Sequence, residues 1–168
     1  MNAALVITGS EILSGFRQDV LVQPFAALLK AKGIPVREVR MLGDAPQMIV
    51  RTLMEIEDDF IVVTGGLGLT PDDTTAQVVE ALAGNGPRQA IPNPVGSAQG
   101  IDLRIETKRI VFLPGVPAEA IAMFQNLMAQ CMDQGSMTVH IPVFGLKEVE
   151  IARRLGDLAP QCGYLPKD

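Results

Sequence analysis

Three apolar segments, Ala3 to Thr8, Ile34 to Leu42 and Phe60 to Thr64, each lead into a stretch of helical periodicity. That alternation constrains the fold more than any other feature. Parallel neighbours need a crossover between them, so strand–helix–strand succession implies βαβ units and a largely parallel sheet. Ala3 to Thr8 is continuously apolar and stops at Gly9-Ser10, the pattern of a strand buried on both faces. A helix is expected from about Asp19 to Lys32, with Leu21, Phe25, Leu28 and Leu29 on one face and Gly33 as its stop. Pro24 fits there only in the first turn, where a missing N–H costs little. The second strand alternates Val36, Val39 and Met41 with Arg37 and Arg40, which suits a more exposed position. Asp44 reads as the cap of a helix carrying Ile49, Leu53 and Ile56. Phe60 to Thr64 opens into Gly65-Gly66-Leu67-Gly68-Leu69-Thr70-Pro71-Asp72-Asp73 and a helix through Val78, Val79 and Leu82.

Farther along, Gly84 to Gly100 reads as loop, with Gly86-Pro87, Pro92-Asn93-Pro94 and Gly96-Ser97 as its breakers. Ile101 to Glu106 and Arg109 to Leu113 form a hairpin turning at Thr107-Lys108. Pro114-Gly115-Val116-Pro117 introduces a helix with Ile121, Phe124, Met128 and Cys131 on its inner stripe. A strand from Met137 to Phe144 and a helix near Lys147 to Leu158 complete the expected elements. The fold class is α/β, with a largely parallel sheet and a β-hairpin.

Composition narrows the function. Fourteen Lys+Arg against nineteen Asp+Glu leave a net charge of −5, the opposite of a nucleic-acid footprint. Six Phe, one Tyr and no Trp offer no base-stacking platform. Cys131 and Cys162 supply neither a disulfide framework nor zinc-ligand spacing. The start of the chain lacks the basic region of a signal peptide, and no apolar run is long enough for a membrane span. A cytoplasmic protein acting on a small molecule, without nucleic acid or membrane partners, is the expectation.

In a parallel sheet the strands' C-terminal ends share one edge, where ligands bind. The sequence brings to that edge Ser10 and Glu11 after the first strand and Asp44 after the second. Gly65 to Asp73 follows the third strand, and Pro114 to Pro117 the hairpin. Glycine loops before helix starts favour anions through backbone N–H groups and the helix dipole. Phosphate beside carboxylates requires a cation between them, so the cofactor expected is a divalent metal such as Mg²⁺. The glycine loop is no Walker loop, because no Gly-Lys-Ser/Thr follows, and Pro71 occupies the third glycine of a dinucleotide fingerprint. A tight turn with positive φ is the structural alternative for the glycines, and an N-cap the alternative for one of Asp72 and Asp73. Two carboxylates together with Thr70, Thr74 and Thr75 exceed what capping needs.

Thr64-Gly65-Gly66-Leu67-Gly68-Leu69-Thr70-Pro71-Asp72-Asp73-Thr74-Thr75 resembles the signature of the molybdopterin-binding superfamily of molybdenum-cofactor biosynthesis proteins. Leu67 is similar to the branch named for competence/damage-inducible protein A (CinA). Gly9-Ser10-Glu11-Ile12-Leu13-Ser14-Gly15 resembles that branch's Gly-Thr-Glu-Leu-Leu-x-Gly opening, and Gly43-Asp44 its second-strand turn. Asn93-Pro94-Val95-Gly96-Ser97-Ala98 and Leu113-Pro114-Gly115-Val116-Pro117-Ala118-Glu119 resemble its two later motifs. The resemblance implies a three-layer α/β/α sandwich that binds a pterin or nucleotide phosphate at the glycine loop. It implies Mg²⁺-dependent phosphoanhydride hydrolysis similar to that of ADP-ribose pyrophosphatases. Adenylyl transfer to molybdopterin, or a binding module without turnover, are the alternatives. By motif, Asp73 matches the signature aspartate, with Asp72 beside it as a metal candidate, and Asp44 the second acidic position, as metal ligand or base. Gly65, Gly66, Gly68, Thr70, Thr75, Ser10, Glu11, Ser97 and Gly115 are the ligand-binding candidates. A homo-oligomer is expected.

The departures matter as well. Asp19-Val20-Leu21 stands where the CinA-like pattern has an Asp-Thr-Asn-like triplet, removing a hydroxyl and an amide from the pocket. Residues 1–135 are expected to form the binding domain. Residues 136–168 resemble the start of the branch's following small domain, with Val149 in place of Ser, in a truncated or shortened member lacking the amidase domain. Apolar Ile141, Val143 and Ile151 would then need a partner surface. His140 and Cys131 read as structural, and nothing near Cys162 points to a lowered pKa. Met41, Met48, Met54, Met123 and Met128 read as gap fillers, and Arg37, Arg40, Arg51 and Arg88 as surface charges.

Overall fold

The computed structural model describes residues 1–66, 74–84, 86–131 and 141–156. Gly68, Thr70, Asp72, Asp73, His140 and Cys162, singled out above, lie outside the described residues. The chain divides into one compact unit over residues 1–136 and a second over 137–168.

The first unit holds strands β1 (Ala3–Thr8), β2 (Val36–Leu42), β3 (Phe60–Thr64), β4 (Arg88–Ile91), β5 (Gly100–Ile105) and β6 (Lys108–Leu113). Its helices are α1 (Ser10–Leu13), α2 (Val22–Ala31), α3 (Pro46–Glu55), α4 (Thr74–Ala83) and α5 (Pro117–Gln130). The sheet order is β2-β1-β3-β6-β5-β4. β2, β1, β3 and β6 run parallel, while β5 is antiparallel to both β6 and β4. This is a three-layer α/β/α sandwich with a largely parallel sheet and a hairpin, as expected.

β1 and β3 are buried along their whole length, which is why both read as unbroken apolar runs. The pleat deals their side chains to two cores. Ala3, Leu5 and Ile7 pack with Phe25 and Leu29 of α2 and Met123 and Phe124 of α5. Ala4 and Val6 pack with Ile49 and Leu53 of α3 and Val78 and Val79 of α4. Phe25 and Phe124 meet at a ring-centroid distance of 4.6 Å, joining the two helices of one layer. In the other layer, Lys108 Nζ donates to the carbonyls of Leu53, Met54 and Ile56, closing the end of α3. Across the hairpin, Arg109 makes a two-pronged contact with Asp102 and lies over the Phe60 ring, 5.4 Å from its centroid.

Several local expectations are corrected. β4 lies inside the stretch read as loop; three of its four residues are exposed and carry no apolar alternation. The hairpin turns one residue earlier, at Glu106-Thr107, with Glu106 at φ 52°. Asp44 does not cap α3: Ala45 is the N-cap, and Pro46 opens the helix with no N–H to satisfy. α2 begins at Val22, not Asp19, whose carboxylate instead accepts from the N–H groups of Leu21 and Val22.

In the second unit, helix α6 (Glu148–Leu155) ends at Gly156. Residues 141–144 form no strand, contrary to expectation, and residues 137–140 lie outside the described residues. Among the described residues no helix is long and apolar enough to cross a membrane.

Candidate functional site

The sheet's connectivity makes a crevice at one place. β1 leads to α2 on one face, whereas β3 leads to α4 on the other. Loops that part to opposite faces leave a gap at the strands' carboxyl ends. The register brings those ends level, pairing Ile7 with Thr64 and Thr64 with Leu113. A cleft of about 380 Å³ opens there, lined by residues that follow β1, β2, β3 and β6.

Gly65 and Gly66 form the part of the cleft that continues β3. Both have positive φ, 103° and 69°, so the tight-turn reading of these glycines holds. Their lack of a side chain also permits close packing. A Cβ on Gly65 would sit 2.4 Å from the carbonyl oxygen and the hydroxyl of Thr8, and one on Gly66 would sit 2.9 Å from Thr75 Oγ1. Gly65 N–H donates to Leu113 O at 3.1 Å, and Gly115 approaches so closely that its Cβ would lie 3.3 Å from Gly65 Cα. Buried hydroxyls hold the same junction: Thr8 donates to Thr64 O and Thr75 to Gly65 O. Thr75 is thus a buried support of the loop, and it is absent from the cleft lining.

Asp44 reaches the cleft from the end of β2, and Glu11 from α1. Ser10 is not itself a lining residue; its N–H and hydroxyl both donate to Asp44 Oδ2. Asp44 Oδ1 has no hydrogen-bond partner among the described residues. Ser97 and Gly115, expected from the later motifs, line the opposite part of the same cleft. Gly65, Gly66, Glu11, Asp44, Ser97 and Gly115 are therefore brought together, while Gly68, Thr70, Asp72 and Asp73 lie outside the described residues.

Among the lining residues that the sequence did not single out as site candidates are Arg17, Gln18 and Glu119. Arg17 N–H donates to Glu11 O, closing the loop after α1 and bringing a guanidinium to the cleft. Glu119 belongs to the later motif quoted above, and that was its only local signal. The departure at Asp19-Val20-Leu21 resolves into separate roles. Leu21 is core, Asp19 accepts from the Leu21 and Val22 N–H groups at the start of α2, and half-exposed Val20 gives the cleft an apolar stretch of wall.

The donor set of the cleft suits a hard cation. Among the described residues its ionisable lining is Glu11, Asp19, Asp44 and Glu119 against one arginine, with no Cys or His. Asp19 is engaged by the Leu21 and Val22 N–H groups and Glu119 by Asn93, which leaves Glu11 and Asp44 as the carboxylates open to a cation. Among the described residues no group of three or more His, Cys, Asp or Glu converges on a metal position. Mg²⁺ needs only one or two carboxylates when phosphate completes its shell.

Residues 4–134 match the family model described as "Probable molybdopterin binding domain". A CinA-like protein of Geobacter metallireducens is 31% identical, over 94% of this chain and 48% of its own length. One of Desulforapulum autotrophicum is 32% identical, over 96% and 49% respectively. The chain thus spans about half the length of these curated relatives. The Geobacter alignment runs to 200 positions against 168 residues here, so that relative carries residues within the matched stretch that this chain lacks. Among solved structures, CinA from Thermoplasma acidophilum superposes with a TM-score of 0.65 at 26% identity, covering 76% of this chain and 96% of that one. The molybdopterin biosynthesis enzyme MoaB from Thermus thermophilus also gives 0.65, at 21% identity over 76% and 89%, a likeness of fold alone. With its family match over nearly all of the first unit and these relatives, the chain belongs to the molybdopterin-binding domain family, where its curated relatives are CinA-like proteins.

Proposed function

We propose that the cleft binds the phosphate groups of a nucleotide or pterin together with Mg²⁺, and that the protein hydrolyses a phosphoanhydride in that ligand. The observation that carries this reading is the meeting of Gly65-Gly66, Asp44 and Ser97 at the point where the loops after β1 and β3 diverge. Gly66 and Gly68 would bind phosphate through backbone N–H groups, with Gly65, whose N–H is taken by Leu113 O, giving the ligand room for close approach, and Arg17 would offset its charge. Asp44, with Asp72 and Asp73, would hold the metal. When bound, Mg²⁺ neutralises phosphate oxygens and polarises the phosphoryl group toward attack by water. Asp44 has an oxygen available for that role or for accepting a proton from the water, because Ser10 engages only Oδ2.

The test is incubation of the purified chain with ADP-ribose and Mg²⁺, with AMP as readout. AMP release that stops on adding EDTA is the expected result. An intact protein that binds ADP-ribose without releasing AMP is a binding module, for which Val20 in place of a hydroxyl is the motivating residue. Assembly is part of the same proposal. Ile141 and Val143 are exposed, at 76% and 45%, and would find cover in a homo-oligomer. Light scattering that reports a monomer at working concentration would contradict that part.

A further inference from the structure

The loop carrying Ser97 has no ladder hydrogen bonds to hold it, yet it forms a wall of the cleft. Its order comes from one side chain. Asn93 Oδ1 accepts from Val95 N–H at 3.1 Å and from Gly96 N–H at 2.9 Å. Its Nδ2 donates to Ala98 O at 2.9 Å and to Glu119 Oε2 at 2.5 Å. Two donors and two acceptors exhaust what an asparagine amide offers, and the partners leave only one orientation for it. Three of these bonds shape the loop, and the fourth ties it to the first turn of α5.

Gly96 suits the same arrangement: a Cβ there would run into the Glu119 carboxylate, the far end of a flexible side chain, and push it off the loop. Glu119 also lines the cleft, as do Ser97 and Ala98. Two walls that are far apart in sequence, the loop 92–99 and the start of α5, are thereby fixed to one another.

We propose that Asn93 is a positioning residue of the ligand site: held by Glu119, it fixes the Ser97 wall of the cleft in the geometry that receives the ligand. It touches no reacting atom in this account; it acts through Ser97. Asp is nearly the same shape as Asn but lacks the two donors. In Asn93→Asp the Val95 and Gly96 bonds survive, while a carboxylate faces both Ala98 O and the Glu119 carboxylate. Like charges at hydrogen-bond distance repel, and the wall separates from α5. Exchanging the second partner as well, in Asn93→Asp/Glu119→Gln, restores a donor opposite the acceptor.

The ligand arm of the test rests on the nucleotide reading above; a second arm does not. The first measures ADP-ribose affinity with Mg²⁺ by calorimetry for the natural protein and both variants, beside their melting temperatures. The expected result is a rise in Kd of about tenfold or more in Asn93→Asp, the scale set by losing a charged hydrogen bond. The double variant should recover most of that loss. Affinity unchanged in Asn93→Asp, or a loss that the double variant leaves in place, would overturn the proposal. The second arm is amide hydrogen exchange without ligand. The Ser97 and Ala98 amides should exchange faster in Asn93→Asp than in the natural protein and slow again in the double variant. Equal rates in all three overturn the clamp. If the natural protein does not bind ADP-ribose, the nucleotide reading fails, and the exchange arm alone decides whether Asn93 and Glu119 order the wall.

Discussion

Ser10 and Asp44, 34 residues apart, are joined twice: the Ser10 N–H at 2.9 Å and the Ser10 hydroxyl at 2.7 Å both donate to Asp44 Oδ2. The pair fastens the turn after β2 to the loop after β1 and leaves the other carboxylate oxygen without a hydrogen bond among the described residues. Both bonds are exposed, which limits their effect on stability. Ser10→Ala removes one bond and should cost about 1 kcal/mol in urea denaturation. Asp44→Ala should cost a similar amount and also abolish Mg²⁺-dependent nucleotide binding. Calorimetry on the two variants separates the roles, and equal ligand affinity in both would assign Asp44 to structure alone.

Three glycines with positive φ should respond in a graded way to alanine. Gly15, at φ 73° with nothing within 4 Å of its Cβ position, reports the conformational cost alone, about 1 kcal/mol. Gly66→Ala adds a contact at 2.9 Å with a threonine hydroxyl. Gly65→Ala drives a methyl to 2.4 Å from the Thr8 carbonyl, a backbone atom that has no rotamer to yield. Denaturation midpoints should therefore fall in the order Gly15→Ala, Gly66→Ala, Gly65→Ala, with the last losing about 3 kcal/mol or more. A mild Gly65→Ala would mean that the junction between β1 and β3 is looser than this geometry requires.

Much of this architecture was legible because the physics behind it is local. β1 and β3 announce themselves since strands buried on both faces must be apolar throughout. The glycine loop announces itself because positive φ at Gly65 and Gly66 excludes most side chains. What stayed hidden depends on partners distant in sequence. Asp44 just before a helix reads as a cap, and nothing near it signals that Ser10 is its donor. β4 is an exposed edge strand, so Arg88-Gln89-Ala90 carries no burial pattern. Arg17 looks like any surface arginine in sequence. Arg37, Arg40 and Arg51, read as surface charges, face Asp58, Glu38 and Glu55.

That surface network sets a pH dependence. A hydrogen bond from Arg51, with the nearby Arg40 charge adding to it, holds the Glu55 carboxyl below its ordinary value of 4.5. A depressed folded-state value stabilises the fold above the unfolded value, and that stabilisation is lost as pH falls through the folded value. The stability difference between the natural protein and Glu55→Gln should therefore be constant at neutral pH and shrink toward zero below about pH 4.5. Denaturation midpoints of the two proteins across pH 3 to 7 check this. A difference that widens on acidification would contradict the sign.

On the proposed reading, ligand phosphate and metal meet in the cleft between the ends of β1, β3 and β6. Amide chemical-shift mapping tests it most directly, by adding ADP-ribose and Mg²⁺ to labelled protein and following every backbone N–H. The largest shifts should fall on Gly65, Gly66, Ser97 and Gly115, and should disappear when EDTA removes the metal. Shifts confined to the opposite end of the sheet, or no shifts at saturating ADP-ribose, would contradict it.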